Sequence, residues 1–176
     1  MSQLKKKSTR EILTENLSRK SPLATSFTLF AHNIRSQHNV GSLFRSCDSF
    51  GVHQLILSGY TPTPPSSAIS KTALGAEQYV SWKQVKDPVD ELNRLKRNEY
   101  LICALEQTNQ STMLQELDLD SSKICLLLGN EVTGIDESLL PLTDQFAEIP
   151  QFGNKHSLNV SVAAGIALYA FFEKLG

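Results

Sequence analysis

Ile124-Cys125-Leu126-Leu127-Leu128, followed at once by Gly129-Asn130-Glu131-Val132-Thr133-Gly134-Ile135, is the stretch on which the fold turns. Five consecutive apolar residues carry no polar alternation, so the segment reads as a strand buried on both faces, the habit of parallel sheets covered by helices. Upstream, Tyr100–Leu105 (YLICAL) repeats the pattern. Phe27–Ala31 (FTLFA), His53–Ser58 (HQLILS), Gln78–Trp82 and Phe146–Ile149 read as shorter strands. Helical segments lie between them. Val40, Leu43, Phe44 and Cys47 recur at helical spacing, with Gly51 as the stop. Ile69–Glu77 reads as a short helix, and Asp87-Pro88 opens another with Val89, Leu92 and Leu95 on its apolar side. Ser157–Leu175 is the last helix, and Thr61–Ser67 (TPTPPSS) is a loop. This alternation predicts an α/β fold, a mainly parallel sheet between helices. Ligands in such folds sit beyond the carboxyl ends of the strands, so the informative residues should follow Leu105, Leu128 and Ile149.

The chain has 176 residues, the size of one ordinary domain. No run of 18 apolar residues exists, which argues against a membrane-spanning helix. Lys5-Lys6-Lys7 near the start is followed by no apolar stretch of the kind a secretory signal carries. Cys47, Cys103 and Cys125 are far apart and form no Cys-x-x-Cys or Cys/His cluster, so neither a disulfide framework nor a metal site is expected. These features predict a cytoplasmic protein with reduced thiols. The net charge of −1 is unevenly placed. Residues 1–20 hold six of the 17 basic side chains (Lys5, Lys6, Lys7, Arg10, Arg19, Lys20) and only two of the 18 acidic ones. This arm reads as a short helix capped by Thr9, with Ile12, Leu13 and Leu17 on a weak apolar stripe and Ser21-Pro22 at its end. A basic arm on an acidic body suits an anionic partner such as nucleic acid, or serves merely as a solvated tail.

Three segments carry the chemistry. Gly129–Ile135 is a glycine-flanked turn leaving a buried strand, without a dinucleotide fingerprint or a P-loop. Pro150–Asn159 is a polar loop with Lys155 and His156, opening into a nearly all-apolar helix from Val160 to Phe172. Ser157 is placed to cap that helix, and Asn159 falls in its first turn. A helix apolar all round needs more cover than a small domain offers, and a second copy is the simplest cover. In Asn39–Arg45, Asn39 stands where a helix cap would sit, and Arg45 lies off the apolar stripe, free to meet a phosphate or ribose.

Together these segments resemble the SpoU (TrmH-like) branch of the SPOUT RNA methyltransferases. The matching motifs are NVGSLFRSCDSFGV at 39–52, LLLGNEVTGIDESLL at 126–140 and IPQFGNKHSLNVSVAAGIALY at 149–169, with ISKTALGAE at 69–77 as a further likeness. The resemblance runs from Phe27 to the C-terminus and implies a SPOUT domain (27–176) with a C-terminal trefoil knot, which leaves residues 1–26 as a basic N-terminal helical extension outside it. It implies a homodimer that binds S-adenosylmethionine, uses no metal, and methylates a ribose 2′-hydroxyl of tRNA or rRNA. By the same resemblance Arg45 is the catalytic residue, with Asn39, Glu131, Ser157 and Asn159 in support. Leu105, Gly129, Asn130, Ile149, Ser157 and Leu158 contact the cofactor. Either Arg45 acts as base beside an RNA phosphate, or it stays charged and stabilises the alkoxide. Ending at Gly176, the chain lacks the C-terminal extension of some tRNA-specific members, which leaves the RNA open. The alternative is a non-catalytic RNA-binding relative of the same fold.

Overall fold

The computed structural model describes residues 4–119, 121 and 123–176. Seven strands form one parallel sheet: β1 (Phe27–His32), β2 (Gln54–Ser58), β3 (Trp82–Val85), β4 (Leu101–Leu105), β5 (Thr112–Met113), β6 (Ile124–Leu128) and β7 (Gln145–Glu148), in the order β3-β2-β1-β6-β4-β7-β5. β6 sits at the centre between β1 and β4, and all five of its residues are buried. Its side chains alternate between two cores, as period-two geometry requires. Ile124, Leu126 and Leu128 join Phe27, Leu29, Leu55 and Leu57 on one face. Helices α2 (Gln37–Phe50), α3 (Ser67–Ala73) and α5 (Val160–Leu175) contribute to that same core. Cys125 and Leu127 meet Leu92 and Leu95 of α4 (Pro88–Arg97), with Ile135 and Leu139, on the other. The sheet is thus covered on both faces, as the apolar runs predict.

The element ends depart from the sequence reading where several polar residues compete to cap. Ser8, not Thr9, caps α1 (Thr9–Ser18), and its capping box with Glu11 satisfies two orphan backbone groups at once. Ser36, not Asn39, caps α2 and accepts from the Asn39 N–H, so Asn39 falls inside the first turn. Asn159, not Ser157, caps α5; its Oδ1 accepts from the N–H groups of Ser161 and Val162. The expected helix 69–77 is instead α3, ending at Leu74 in the left-handed region (φ 53°), then a separate single-turn 3-10 helix over Ala76–Gln78. That turn takes Gln78 out of the expected strand 78–82, and β3 starts at Trp82, where pairing with Leu55 begins. Gly51 ends α2 at φ 60°, a conformation that costs a Cβ-bearing residue about 1 kcal/mol or more. The pair β5, two residues long, gave no apolar signal of its own.

α1 buries no side chain, whereas Leu23 is fully buried in the main core. The packed body therefore begins a few residues before β1. α5 is not covered all round: Ala164, Ala167, Leu168 and Phe171 are buried, while Val162, Ile166 and Tyr169 stand exposed. Cys47, Cys103 and Cys125 are free thiols and buried, and burial pushes the Cys103 thiol up to about 12. No helix among the described residues is long and apolar enough to cross a membrane.

Candidate active site

The loops leaving β4, β6 and β7 converge on a cavity of about 430 Å³. Every cofactor residue expected from sequence borders it: Leu105, Gly129, Asn130, Ile149, Ser157 and Leu158. Gly129 is required by its neighbours, because a Cβ there would overlap the backbone of Gly134 and Ile135. Asn130 and Gly134 exchange backbone hydrogen bonds (2.9 and 3.0 Å), pinching the loop into a closed turn. The Asn130 side chain is wholly engaged, its oxygen within that turn and its nitrogen outside it. Its Oδ1 accepts from the N–H groups of Val132 (2.8 Å) and Thr133 (3.0 Å), and its Nδ2 donates to Asn33 O (2.8 Å) and Tyr60 Oη (2.7 Å). Asn130 therefore shapes the cavity wall rather than presenting a free amide.

Sequence reasoning missed two supports of this wall. Glu106 Oε2 accepts from the Ile135 N–H (3.0 Å) and Oε1 from the Gln107 N–H (3.1 Å), tying the β4 exit to the β6 exit. On the far side, buried His32 bridges Ser58 Oγ (2.7 Å, Nδ1) and Asp136 Oδ2 (2.9 Å, Nε2), while Asn33 Nδ2 donates to Asp136 Oδ2 (3.1 Å). A lone glutamate after a strand and a histidine at a strand end look like any surface residue in sequence; only the strand order brings them to the same loop.

The three motif segments meet in one polar chain. Glu131 Oε2 accepts from the Arg35 N–H (2.9 Å), and its Oε1 accepts from the Ser36 N–H (3.2 Å) and Asn39 Nδ2 (2.9 Å). Asn159 Nδ2 then donates to Asn39 Oδ1 (3.1 Å). Burial pushes the Glu131 carboxyl up, but donation from the Arg35 backbone and the Asn39 amide outweighs it and holds the group below the usual carboxylate range. Glu131 is thus an ionised anchor for the start of α2, and Asn39 relays that anchor to the cap of α5.

Arg45 stands apart. It is exposed on α2, and its guanidinium makes no hydrogen bond or ion pair among the described residues. It lines a second groove, of about 500 Å³, with Ser42, Ser46, Ser49, Phe50, Lys71, Thr72 and Leu74. No residue lines both hollows, so within one chain Arg45 does not join the residues around the first. Ser157 is exposed at the cavity rim. No group of His, Cys, Asp or Glu among the described residues has an arrangement that would hold a metal ion.

The first cavity lies within the range of ligand pockets, roughly 300–1,000 Å³. Its wall combines apolar Leu105, Ile135, Ile149 and Leu158 with the carboxylates of Glu106, Glu131 and Glu148. Such a lining suits a partly flat, apolar ligand that also carries positive charge.

A model of the SpoU rRNA Methylase family matches residues 26–169. The chain is 32% identical, over 142 residues, to the tRNA (guanosine(18)-2'-O)-methyltransferase of Aquifex aeolicus (strain VF5), a match covering 80% of this chain and 66% of that protein. The chain therefore spans just under two thirds of the length of that curated relative. Among solved structures it is similar to the A. aeolicus TrmH/SpoU tRNA modifying enzyme, with TM-score 0.78, 28% identity, and 88% of this chain and 77% of that one covered. It is also similar to the AdoMet-bound rRNA methyltransferase from Sinorhizobium meliloti, with TM-score 0.79, 25% identity, and 89% of this chain and 59% of that one covered.

Proposed function

The chain belongs to the SpoU rRNA methylase family, and on that premise we propose that it methylates a ribose 2′-hydroxyl of tRNA or rRNA, with S-adenosylmethionine as donor. The observation that carries this reading is the convergence of the three strand exits on one cavity, with the Glu131–Asn39–Asn159 chain fixing its border.

The cavity residues fit the cofactor. Leu105, Ile149 and Leu158 would hold its apolar parts, Gly129 leaves room for close backbone approach, and the carboxylates of Glu106, Glu131 and Glu148 favour its positive charge. When bound, it supplies an already activated methyl on a sulfonium, so this reading invokes no metal. The chain's remaining task is the ribose hydroxyl, a poor nucleophile until it loses its proton. The Arg45 guanidinium stabilises the developing alkoxide, while an RNA phosphate or water takes the proton. Ser157, exposed at the rim, orients the ribose.

Because Arg45 and the cavity border different hollows, the reading requires a homodimer in which Arg45 of one copy faces the cavity of the other. The exposed Val162, Ile166 and Tyr169 of α5 are the surface we assign to that contact. The interleaved strand order supports the knot: β6-to-β7 crosses the place of β4, and β4-to-β5 crosses that of β7. Residues 1–26 are assigned to a basic extension that meets RNA, and the protein to the cytoplasm.

Calorimetry with S-adenosylmethionine, followed by nucleoside mass spectrometry of RNA treated with the protein, tests the proposal. Metal-independent cofactor uptake and new 2′-O-methylnucleosides are expected. Absence of cofactor uptake overturns it. Uptake and RNA binding without transfer identify the non-catalytic relative instead. Sedimentation should report a dimer; a monomer at micromolar concentration overturns the composite site.

A further inference from the structure

We propose that Lys71 is an RNA phosphate-binding residue that works beside Arg45, so that the groove between α2 and α3 holds the backbone next to the target ribose. The inference rests on the functional reading above for the role of Arg45. Its own support is the placement of two cations from separate elements.

Arg45 projects from α2 and Lys71 from the last turn of α3, and both line the same groove of about 500 Å³. A lysine in the last turn of a helix is favoured by the helix dipole. That accounts for a cation on α3, but not for its sharing a groove with a second cation and no carboxylate. The rest of the lining is Ser42, Ser46, Ser49 and Thr72 hydroxyls, with Phe50 and Leu74. Neither Arg45 nor Lys71 forms an ion pair among the described residues. Two like charges held in one groove without a counter-ion repel each other, and an incoming anion relieves that repulsion. The contrast with the surroundings sharpens this: beyond residue 20 the sequence holds 11 of the 17 cations but 16 of the 18 acids. An RNA strand is repelled by most of such a body and drawn to the few places where cations converge.

The groove is also rigid, as a positioning site must be. Gly41 allows α3 to close on α2, since a Cβ there would overlap Thr72 and Ile69. Thr72 Oγ1 donates to His38 O across the contact (3.0 Å). The spacing between the two cations is therefore set by packed helices, not by a loop. Of the groove hydroxyls, Ser42 and Thr72 already donate to His38 O and Ser49 to Arg45 O, which leaves Ser46 as the neutral donor suited to a phosphate oxygen.

The test compares wild type, Lys71→Gln, Lys71→Arg and, as a cation outside the groove, Lys86→Gln. The probe is a pool of unmodified tRNA transcripts, read by filter binding across salt and by methyl transfer. For Lys71→Gln we expect KM for RNA to rise about tenfold, the energy scale of one charged hydrogen bond. The log–log salt slope should fall by about 0.7–0.9, one phosphate contact. Cofactor uptake and melting temperature should be unchanged. Lys71→Arg should restore KM, and Lys86→Gln should match wild type. An unaltered KM and slope in Lys71→Gln overturns the groove proposal while leaving the methyltransferase reading intact. If wild type transfers no methyl, the functional reading fails, and the salt slopes alone still decide whether Lys71 meets phosphate.

Discussion

The polar side chains around the site fall into two sets. Glu131, Asn39, Asn159 and Asn130 are occupied with one another and with backbone groups. Arg45, Lys71 and Ser157 are exposed. They make no side-chain hydrogen bond among the described residues. The first set is satisfied without any ligand, so it maintains the shape of the cavity border. The second set faces solvent and is available to an incoming strand. Removing a member of the first should register in stability, and removing a member of the second in turnover or RNA binding.

The largest expected effect is on turnover. Arg45→Ala should reduce methyl transfer by at least about 10²–10³-fold, the scale of losing a charge-stabilising donor. Unfolding free energy should move by no more than ~0.5 kcal/mol, as for an exposed side chain outside the core. A matching fall in melting temperature would break the division. Gly129→Ala should do the reverse. Its added methyl collides with Gly134 and Ile135, so a loss of about 1–3 kcal/mol is expected in denaturant titration, with cofactor uptake lost in calorimetry.

Glu131→Gln comes next and adds pH as a probe. An amide cannot accept from all the donors that converge on this carboxylate, so a loss of about 1–3 kcal/mol is expected at neutral pH. Because the folded-state pKa lies below the ordinary 4.5, the ionised group stabilises the fold above that value. The stabilisation is lost as pH falls through the depressed folded value. Melting curves of wild type and variant should therefore converge in acid; a constant gap from pH 7 downward would show that the charge is immaterial. The smallest stability effect belongs to deletion of residues 1–20. α1 buries nothing, so the melting temperature should hold, while RNA affinity falls and its salt slope flattens. An unchanged slope would make the arm a solvated tail.

How much of this was legible depended on whether a residue's role is local. β6 and β4 were legible because unbroken apolar runs have few other uses, and the site was placed at their exits by that fact alone. Caps were misassigned by one to three residues because Ser8 and Thr9, Ser36 and Asn39, and Ser157 and Asn159 have similar capping chemistry. Tertiary demands decided them: Asn39 is drawn to Glu131, some 90 residues away in sequence. Glu106 directly follows Leu105 and Lys71 lies within the 69–77 likeness, yet neither stood out, since which hollow they face depends on how loops and helices pack. Arg45 could be placed off the apolar stripe by periodicity, yet its separation from the cavity was visible only in three dimensions.

The central pairing of the sheet has a consequence for how the protein is made. β1 takes β2 as one neighbour early, but its other neighbour, β6, begins only at residue 124. At ribosomal speeds of about 5–20 residues per second, the free edge of β1 waits on the order of 5–20 s before β6 leaves the exit tunnel. During that interval Phe27, Leu29 and their neighbours form an open, apolar ribbon, the kind of edge that recruits other chains. Nascent chains halted before β6 should aggregate or bind holding chaperones, and those extended past it should not. Synthesis of this chain would then be most vulnerable before residue 124 emerges, ahead of the loops that build the cavity.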